Sequence, residues 1–323
     1  MKFLAKRIWM YFLILAGVSV IVFSLTKMLP GDPYSSLLLN PNVSEAYVER
    51  KLNELGMNDP LPIQYGKWVG RLLQGDLGYT LQGEPVLEEV LHYLKNTLIL
   101  TVPAYLFSIL LSVVLGVYSA SRENRLSDKI ITIATFLQTS IPSFFLAIIL
   151  IRWLGYDWQL FPPSGMETLR MNYSGWDRIA DVLRHMVLPV AVLTVNQTSG
   201  MVRYVRSAVL DVLNQNYIRT AQAKGLSRKK AIWKHGLRNA LIPVITVFFM
   251  NLPGIISGAL FTETVFVWPG IGTLNYNAIM ERDYSVIIAV AMLTACLILL
   301  SNLAADVFYV VADPRIRLEG KEK

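Results

Sequence analysis

Six runs of about 20 apolar residues constrain this chain more than anything else in it. They lie at about 8–29, 98–120, 131–153, 182–204, 241–262 and 286–311, and each is long enough to cross roughly 30 Å of hydrocarbon as a helix. Lipid offers no partner for backbone N–H and C=O groups, so segments of this kind satisfy them internally by coiling into helices. Hydrophobic residues make up 54% of the 323 positions, charged residues 16%, and mean hydropathy is +0.44. The sequence therefore predicts an all-α membrane protein with six transmembrane helices, not one or two soluble domains. The first run follows Lys2, Lys6 and Arg7, in the order of a secretory signal. Its apolar stretch is too long for a signal core, and Pro30-Gly-Asp-Pro33 is no small-residue cleavage site, so it reads as a retained first helix.

Orientation follows from Lys and Arg. With the N-terminus in the cytoplasm, the inner segments 1–7, 121–130, 205–240 and 312–323 hold 18 Lys and Arg in 65 residues. The outer segments 30–97, 154–181 and 263–285 hold 8 in 119. That bias predicts cytoplasmic N- and C-termini. It also explains the net charge of +7 and pI near 9.4 without nucleic acid as a partner, because the basic residues cluster in loops beside apolar spans. The expected organisation is an N-terminal segment and first span (1–29), an extracytoplasmic segment (30–97), a core of five spans (98–311) containing a cytoplasmic loop at 205–240, and a cytoplasmic tail (312–323). The outer segment has turn signals at Pro30-Gly-Asp-Pro33, Asn40-Pro41, Asn58-Asp-Pro60 and Gly75-Asp-Leu-Gly78. Between them a short helix is expected at 43–55, and an amphipathic helix at 85–94 leads into the second span.

Several chemistries are missing from the sequence. There is no G-x-x-x-x-G-K-[ST] loop to cradle phosphates, so ATP hydrolysis of that kind is not expected of this chain. His92, His185 and His235 are far apart and form no H-E-x-x-H pattern. No G-x-S-x-G nucleophile lies within the spans. Cys296 is the one cysteine, which rules out an intrachain disulfide and reads as apolar packing. Charges at membrane depth are scarce: Arg152 and Arg184 sit near outer span ends and Asp306 toward the inner end of the sixth. That scarcity weighs against an ion-coupled secondary transporter, which needs buried carboxylates. A membrane enzyme would need a catalytic constellation that the sequence does not offer.

The spans do carry neutral polar groups: Gln138, Thr139 and Ser140 in the third, Asn196, Gln197, Thr198 and Ser199 in the fourth, and Asn251 and Ser257 in the fifth. Amides and hydroxyls suit a hydrated path for a polar solute. They equally suit interhelical hydrogen bonds worth about 1 kcal/mol each, although the four consecutive polar residues 196–199 cover a whole helical turn. Gln138, Ser140, Asn196, Gln197, Ser199 and Asn251 are the candidate path residues. Pro103, Pro142, Pro189, Pro243 and Pro253 lie within spans, each a possible hinge and each equally a tolerated membrane proline.

The loop at 205–240 concentrates charge between two apolar spans. One helix is expected at 211–224, stopped by Gly225, and a second at 228–237, capped by Ser227. Ala231, Trp233 and Leu237 interrupt the basic surface of the second. Such a segment fits a groove on a soluble partner and equally fits an anionic lipid surface.

The residues of that loop carry a resemblance. Tyr217-Ile-Arg-Thr-Ala-x-Ala-Lys-Gly-Leu226 followed by His235-x-Leu-Arg-Asn-Ala-Leu-Ile-Pro243 resembles the coupling segment of permeases in the peptide/nickel family of ABC importers. Against the general Glu-Ala-Ala pattern of such permeases only Ala221, Gly225 and Leu237 match, with Arg219-Thr220 standing for Glu-Ala and Leu237-Arg238 for Leu-Pro. Leu29-Pro-Gly-Asp-Pro33, Gly75-Asp-Leu-Gly78, Thr262-Glu-Thr-Val-Phe-Val-Trp-Pro-Gly-Ile-Gly272, Arg282-Asp-Tyr284 and Asp313-Pro-Arg-Ile-Arg317 extend the likeness over the whole chain. The long outer segment and closing Asp-Pro-Arg resemble the B-type subunit more than its C-type partner.

The resemblance implies a type I ABC importer permease fold with the first span peripheral. It implies a homologous C-type permease as heterodimer partner, two ATPase subunits below and an extracytoplasmic solute-binding protein above, in a bacterial or archaeal plasma membrane. This chain would bind no cofactor and no metal, ATP and magnesium belonging to the ATPases. Docking would fall to Tyr217, Arg219, Thr220, Ala221, Ala223, Lys224, Gly225, Leu226, Arg228, Lys229, Lys230, His235 and Leu237. Cargo would be dipeptides or oligopeptides moved by alternating access, with nickel or a metal chelate, glutathione or an oligosaccharide as alternatives.

Overall fold

The computed structural model describes residues 2–28, 56, 58–169, 171, 173–213, 215–227, 245, 248, 251 and 259–312. In chain order they form α1 (Lys2–Lys27), α2 (Leu61–Leu72), α3 (Val86–Ser121), α4 (Leu126–Ser140) and α5 (Ser143–Leu150), which runs on as π-helix over Ile151–Asp157. Then come α6 (Gly175–Leu213), α7 (Asn216–Ala223), α8 (Leu260–Phe266), α9 (Ile271–Glu281) and α10 (Tyr284–Ala312). Among the described residues α1, α3, α6 and α10 are each long and apolar enough to cross a membrane, and α4 with α5 makes a fifth candidate if the bent pair is one span. The span expected at 241–262 lies mostly outside the described residues, and the helix at 43–55, Pro243, Pro253 and the tail beyond Ala312 lie outside them altogether.

The third span is where the structure departs from the expected continuous helix at 131–153. It breaks at Ile141-Pro142, and the two halves meet at 99°. Proline has no N–H to continue the ladder and pushes the preceding residue out of the α region. Ile141 accordingly sits at φ −94 and ψ 119, and Pro142 at φ −58 and ψ 140 leads directly into α5. Pro103 and Pro189 lie inside α3 and α6, which stay continuous.

The chain divides into two compact units, Met1–Asn96 with Gly270–Leu299, and Thr97–Pro269 with Leu300–Lys323. In the first, Phe23 of α1 meets Tyr65 and Trp68 of α2 with ring centroids 5.4 and 5.7 Å apart, and Ser19 shares a 2.8 Å hydrogen bond with the Tyr65 hydroxyl. Ile288 and Met292 of α10 complete this cluster. The turn at Gly75-Asp-Leu-Gly78 forms as expected. Both glycines take positive φ, +79 and +87, and the Gly78 N–H donates to Asp76 Oδ1 at 2.8 Å. The amphipathic helix expected at 85–94 is the opening of α3. Val86 and Val90 are buried against Ile271, Leu274, Val286 and Val290, whereas Leu87 and Leu91 stay exposed. A side chain of this size withdrawn from water contributes about 1.5–3 kcal/mol. Asp283 precedes α10 and accepts from the N–H groups of Leu81 at 2.8 Å and Val286 at 3.2 Å. Burial holds its carboxyl above the usual carboxylate range.

In the second unit α3 and α6 pack closely. A Cβ on Gly116 would fall 2.7 Å from the Val205 side chain and 3.0 Å from the Val202 carbonyl, so only glycine allows this approach. Val117, Ala120, Val205, Ala208 and Val209 fill the surrounding core. Farther along, Leu100 and Ala104 pack on Met186, Leu193 and the fully buried Trp268. Glu263 of α8 is also fully buried and accepts a 2.7 Å hydrogen bond from Thr97 Oγ1. Its backbone carbonyl receives the Trp268 N–H at 2.8 Å, closing the turn at Val267, whose φ is +52.

Candidate docking segment and polar helix interface

The docking segment grows out of α6. That helix extends past the expected span end at 204 to Leu213, and α7 begins at Asn216. One continuous helix over 211–224 was expected; instead the ladder is interrupted ahead of Asn216. Asparagine side chains compete for backbone groups and favour helix ends over interiors, and the sequence there reads Asn214-Gln-Asn216. Thr220 Oγ1 donates to the Asn216 carbonyl at 3.0 Å inside the new helix.

α7 presents two sides. Ile218 is 1% exposed, while Thr220, Ala223 and Lys224 face outward. Gly225 follows at φ +90, the left-handed conformation that ends a helix most cheaply at glycine, and the space where a Cβ would project is open. The expected helix stop is therefore present. Leu226 is half-buried and Ser227 exposed. Tyr217, Arg219 and Ala221 lie on the α7 backbone, their side chains outside the described set, and Arg228, Lys229, Lys230, His235 and Leu237 lie outside the described residues altogether.

The candidate path residues are brought partly together. The Ser199 hydroxyl of α6 donates to Gln138 Oε1 of α4 and, at 3.2 Å, to the Asn196 carbonyl. Gln197 Oε1 receives the Ser108 hydroxyl of α3 at 3.4 Å. Ser112 adds a 3.3 Å bond to the Thr198 carbonyl and Thr194 a 3.2 Å bond to that of Ala104. Gln138, Gln197 and Ser199 thus join α3, α4 and α6, the use that the sequence left open beside a path role. Asn196, Ser140 and Asn251 are exposed, and Ser140 Oγ donates to Phe136 of its own helix at 3.2 Å.

Charged residues outside the candidate site set close this interface on the side nearer α7. Arg206 of α6 holds Asp128 of α4 through two parallel bonds, Nε to Oδ1 at 2.7 Å and Nη2 to Oδ2 at 2.8 Å. Ser119 of α3 donates to Oδ1 and the Asn124 N–H to Oδ2 at 2.9 Å, so the carboxylate ties three helices. Arg203, one turn away, donates to the Thr135 carbonyl at 3.2 Å and lies over the Phe136 ring at 4.8 Å. Among the described residues no group of His, Cys, Asp and Glu has the arrangement of a metal site.

The family model for the binding-protein-dependent transport system inner membrane component matches residues 112–318, and the N-terminal model of such membrane components matches residues 1–100. The oligopeptide transport system permease protein AppB of Bacillus subtilis is 40% identical over 316 residues, covering 97% of this chain and 98% of that protein. The OppB protein of Mycobacterium tuberculosis is 36% identical over 322 residues, covering 98% and 99%. The dipeptide transport system permease DppB of Escherichia coli is 32% identical over 335 residues, again covering 98% and 99%. Among solved structures, a chain of the inward-facing MetNI methionine ABC transporter superposes with a TM-score of 0.55 at 17% identity, over 72% of this chain and 99% of that one. At that identity the match speaks for the fold alone.

Proposed function

The chain belongs to the binding-protein-dependent transport system inner membrane components, and from that premise we propose that it imports peptides by coupling the helix α7 to an ATPase subunit. It is a multi-pass membrane permease subunit of an ABC importer. The proposed machine has two ATPase subunits, a homologous C-type permease and an external solute-binding protein, in a bacterial or archaeal plasma membrane with both ends of this chain cytoplasmic. Peptide cargo is supported by full-length relatives that are oligopeptide and dipeptide transport permeases. The single observation that carries the docking assignment is the geometry at Ala223-Lys-Gly225. A short helix anchored by buried Ile218 ends at a left-handed glycine with open space around it. Small residues there let a partner groove approach closely, while exposed Lys224 supplies charge. Arg219, Arg228, Lys229 and Lys230 extend that charge along the sequence. ATP-driven closure of the ATPases would move α7 as a lever continuous in chain order with α6. The exposed Asn196, Ser140 and Asn251 are proposed to face the solute path, with Gln138, Gln197 and Ser199 behind them.

Gly225→Asp tests the docking. Aspartate tolerates the left-handed backbone better than most residues, but it adds bulk and reversed charge where the partner must approach. The reconstituted complex should lose solute-stimulated ATPase activity about tenfold or more while the chain still inserts. Normal stimulated turnover in that variant would remove α7 from the contact.

A further inference from the structure

The first unit forms a partly open cavity of about 160 Å³ to which the transport reading assigns no role. A single water needs only about 10–15 Å³ by the same measure, so the space takes a group of several heavy atoms. Lys27 lines it at the end of α1, Lys67 and Arg71 from α2, and Ser285 from the first turn of α10, with Phe23, Trp68 and Tyr284 as aromatic walls.

The charges are unevenly matched. Lys67 is committed to Asp59 at 2.6 Å. Among the described lining residues Asp76 is a carboxylate that accepts the Gly78 N–H at 2.8 Å and keeps its negative charge. Among the described residues neither Lys27 nor Arg71 forms an ion pair. The Lys27 ammonium instead stands over the Phe23 and Tyr284 rings, 5.8 and 5.7 Å from their centroids. Ring faces hold a cation in position without neutralising it. With Lys67 paired, two cations face one carboxylate among the described lining residues, and the net positive charge left over attracts a further anion. A guanidinium and an ammonium beside a hydroxyl match the oxygens of a phosphate.

We infer that this cavity binds a phosphate-class oxyanion, held by Lys27 and Arg71 with Ser285 Oγ as a third donor. The surroundings favour a lipid headgroup over free phosphate as its source. Lys27 ends an apolar span, which sets the cavity at headgroup depth. Leu61 and Ile63 at the start of α2 and Leu73 just after it are 50%, 50% and 83% exposed, beside the basic residues of that helix. That is the pattern of a helix lying in the headgroup layer.

The test uses the assembled transporter in detergent and reads heat stability against added dioctanoyl phosphatidylglycerol, dioctanoylglycerol or inorganic phosphate. Phosphatidylglycerol should stabilise the wild type and dioctanoylglycerol should not. Arg71→Gln, at an exposed position that should not disturb folding, should raise the half-saturating lipid concentration about tenfold or more. Lys27→Gln should do the same. Inorganic phosphate reproducing an Arg71-dependent shift would support the site and name free anion as the source. An unchanged lipid response in both variants would overturn the proposal. So would equal stabilisation by dioctanoylglycerol, or no response to either phosphate compound. Neither variant touches α7, so transport failure through uncoupling leaves this readout unmoved.

Discussion

Asp128 and Arg206 show how much a single pair can decide and how little of it is visible in the sequence. Arg206 counts among the basic residues that orient the loop, and Asp128 lies in a short loop-facing stretch. Nothing local marks two residues 78 positions apart as partners. The fold brings them into a two-bond fork with the Asp128 side chain 4% and the Arg206 side chain 27% exposed. A pair of this kind contributes modestly as a whole, because both charges leave water to form it. Removing one member is different, since it strands the other; the usual cost is roughly 3–5 kcal/mol, reduced here by the partial exposure of Arg206. Asp128→Asn should therefore lower the chemical-unfolding midpoint of the detergent-solubilised chain by the equivalent of about 2–3 kcal/mol. Adding Arg206→Gln should cost little more, because the stranded charge is gone. Additive losses in the double variant would mean that the two residues act separately. The path amides tell a related story. Their polarity was legible, but whether Gln138 and Gln197 bond to neighbours depends on helices 61 and 89 residues away in sequence.

At the scale of elements, length and hydropathy marked four continuous apolar helices and the broken third span, and proline marked breaks poorly. Pro142 splits its helix, whereas Pro103 and Pro189 do not. The difference lies in packing: Leu100 and Ala104 lock α3 against Met186 and Leu193 of α6 around those two prolines, an arrangement no single stretch of sequence encodes. Glycine behaves likewise. Gly17 in α1 and Gly116 in α3 look alike as membrane-helix glycines, yet a Cβ at Gly17 meets nothing within 4 Å and one at Gly116 meets Val205 at 2.7 Å. Gly116→Ala must spread α3 from α6 or strain both, at a cost of about 1–3 kcal/mol. Gly17→Ala should be neutral or slightly stabilising, because alanine gains up to about 1 kcal/mol of helix propensity over glycine. Thermal unfolding of the two variants in the same detergent checks this. A Gly116→Ala midpoint equal to that of Gly17→Ala would mean that the α3–α6 crossing is looser than the structure has it. The docking helix falls between these cases: its glycine stop was readable from the position of Gly225 in the sequence, and its separate start at Asn216 was not, because asparagine biases a helix end without requiring one.

For the molecule as a whole, charge bias and span count together predict which side each loop faces, and the 99° break in the third span puts that count at issue. Gln82 and Ala223 are both exposed. Between them the chain passes through α3, the α4–α5 pair and α6. If the bent pair crosses the membrane, three crossings separate the two positions and they lie on opposite sides. If it enters and returns on one side, two crossings separate them and they share a side. The sequence reading requires the first outcome, since 18 Lys and Arg in 65 inner residues against 8 in 119 outer ones place 205–240 inside and 30–97 outside. The bend itself does not contradict this, because α5 with its π-helical extension runs on for 15 residues to Asp157, long enough to complete a crossing that α4 began. Single-cysteine variants Gln82→Cys and Ala223→Cys, each in a Cys296→Ala background because Cys296 is exposed, separate the cases in intact cells with a membrane-impermeant maleimide. Gln82→Cys should label from outside, and Ala223→Cys only after the membrane is opened. Labelling of both from outside would make the α4–α5 pair re-entrant, move α7 out of reach of a cytosolic ATPase, and take the coupling assignment down with the topology.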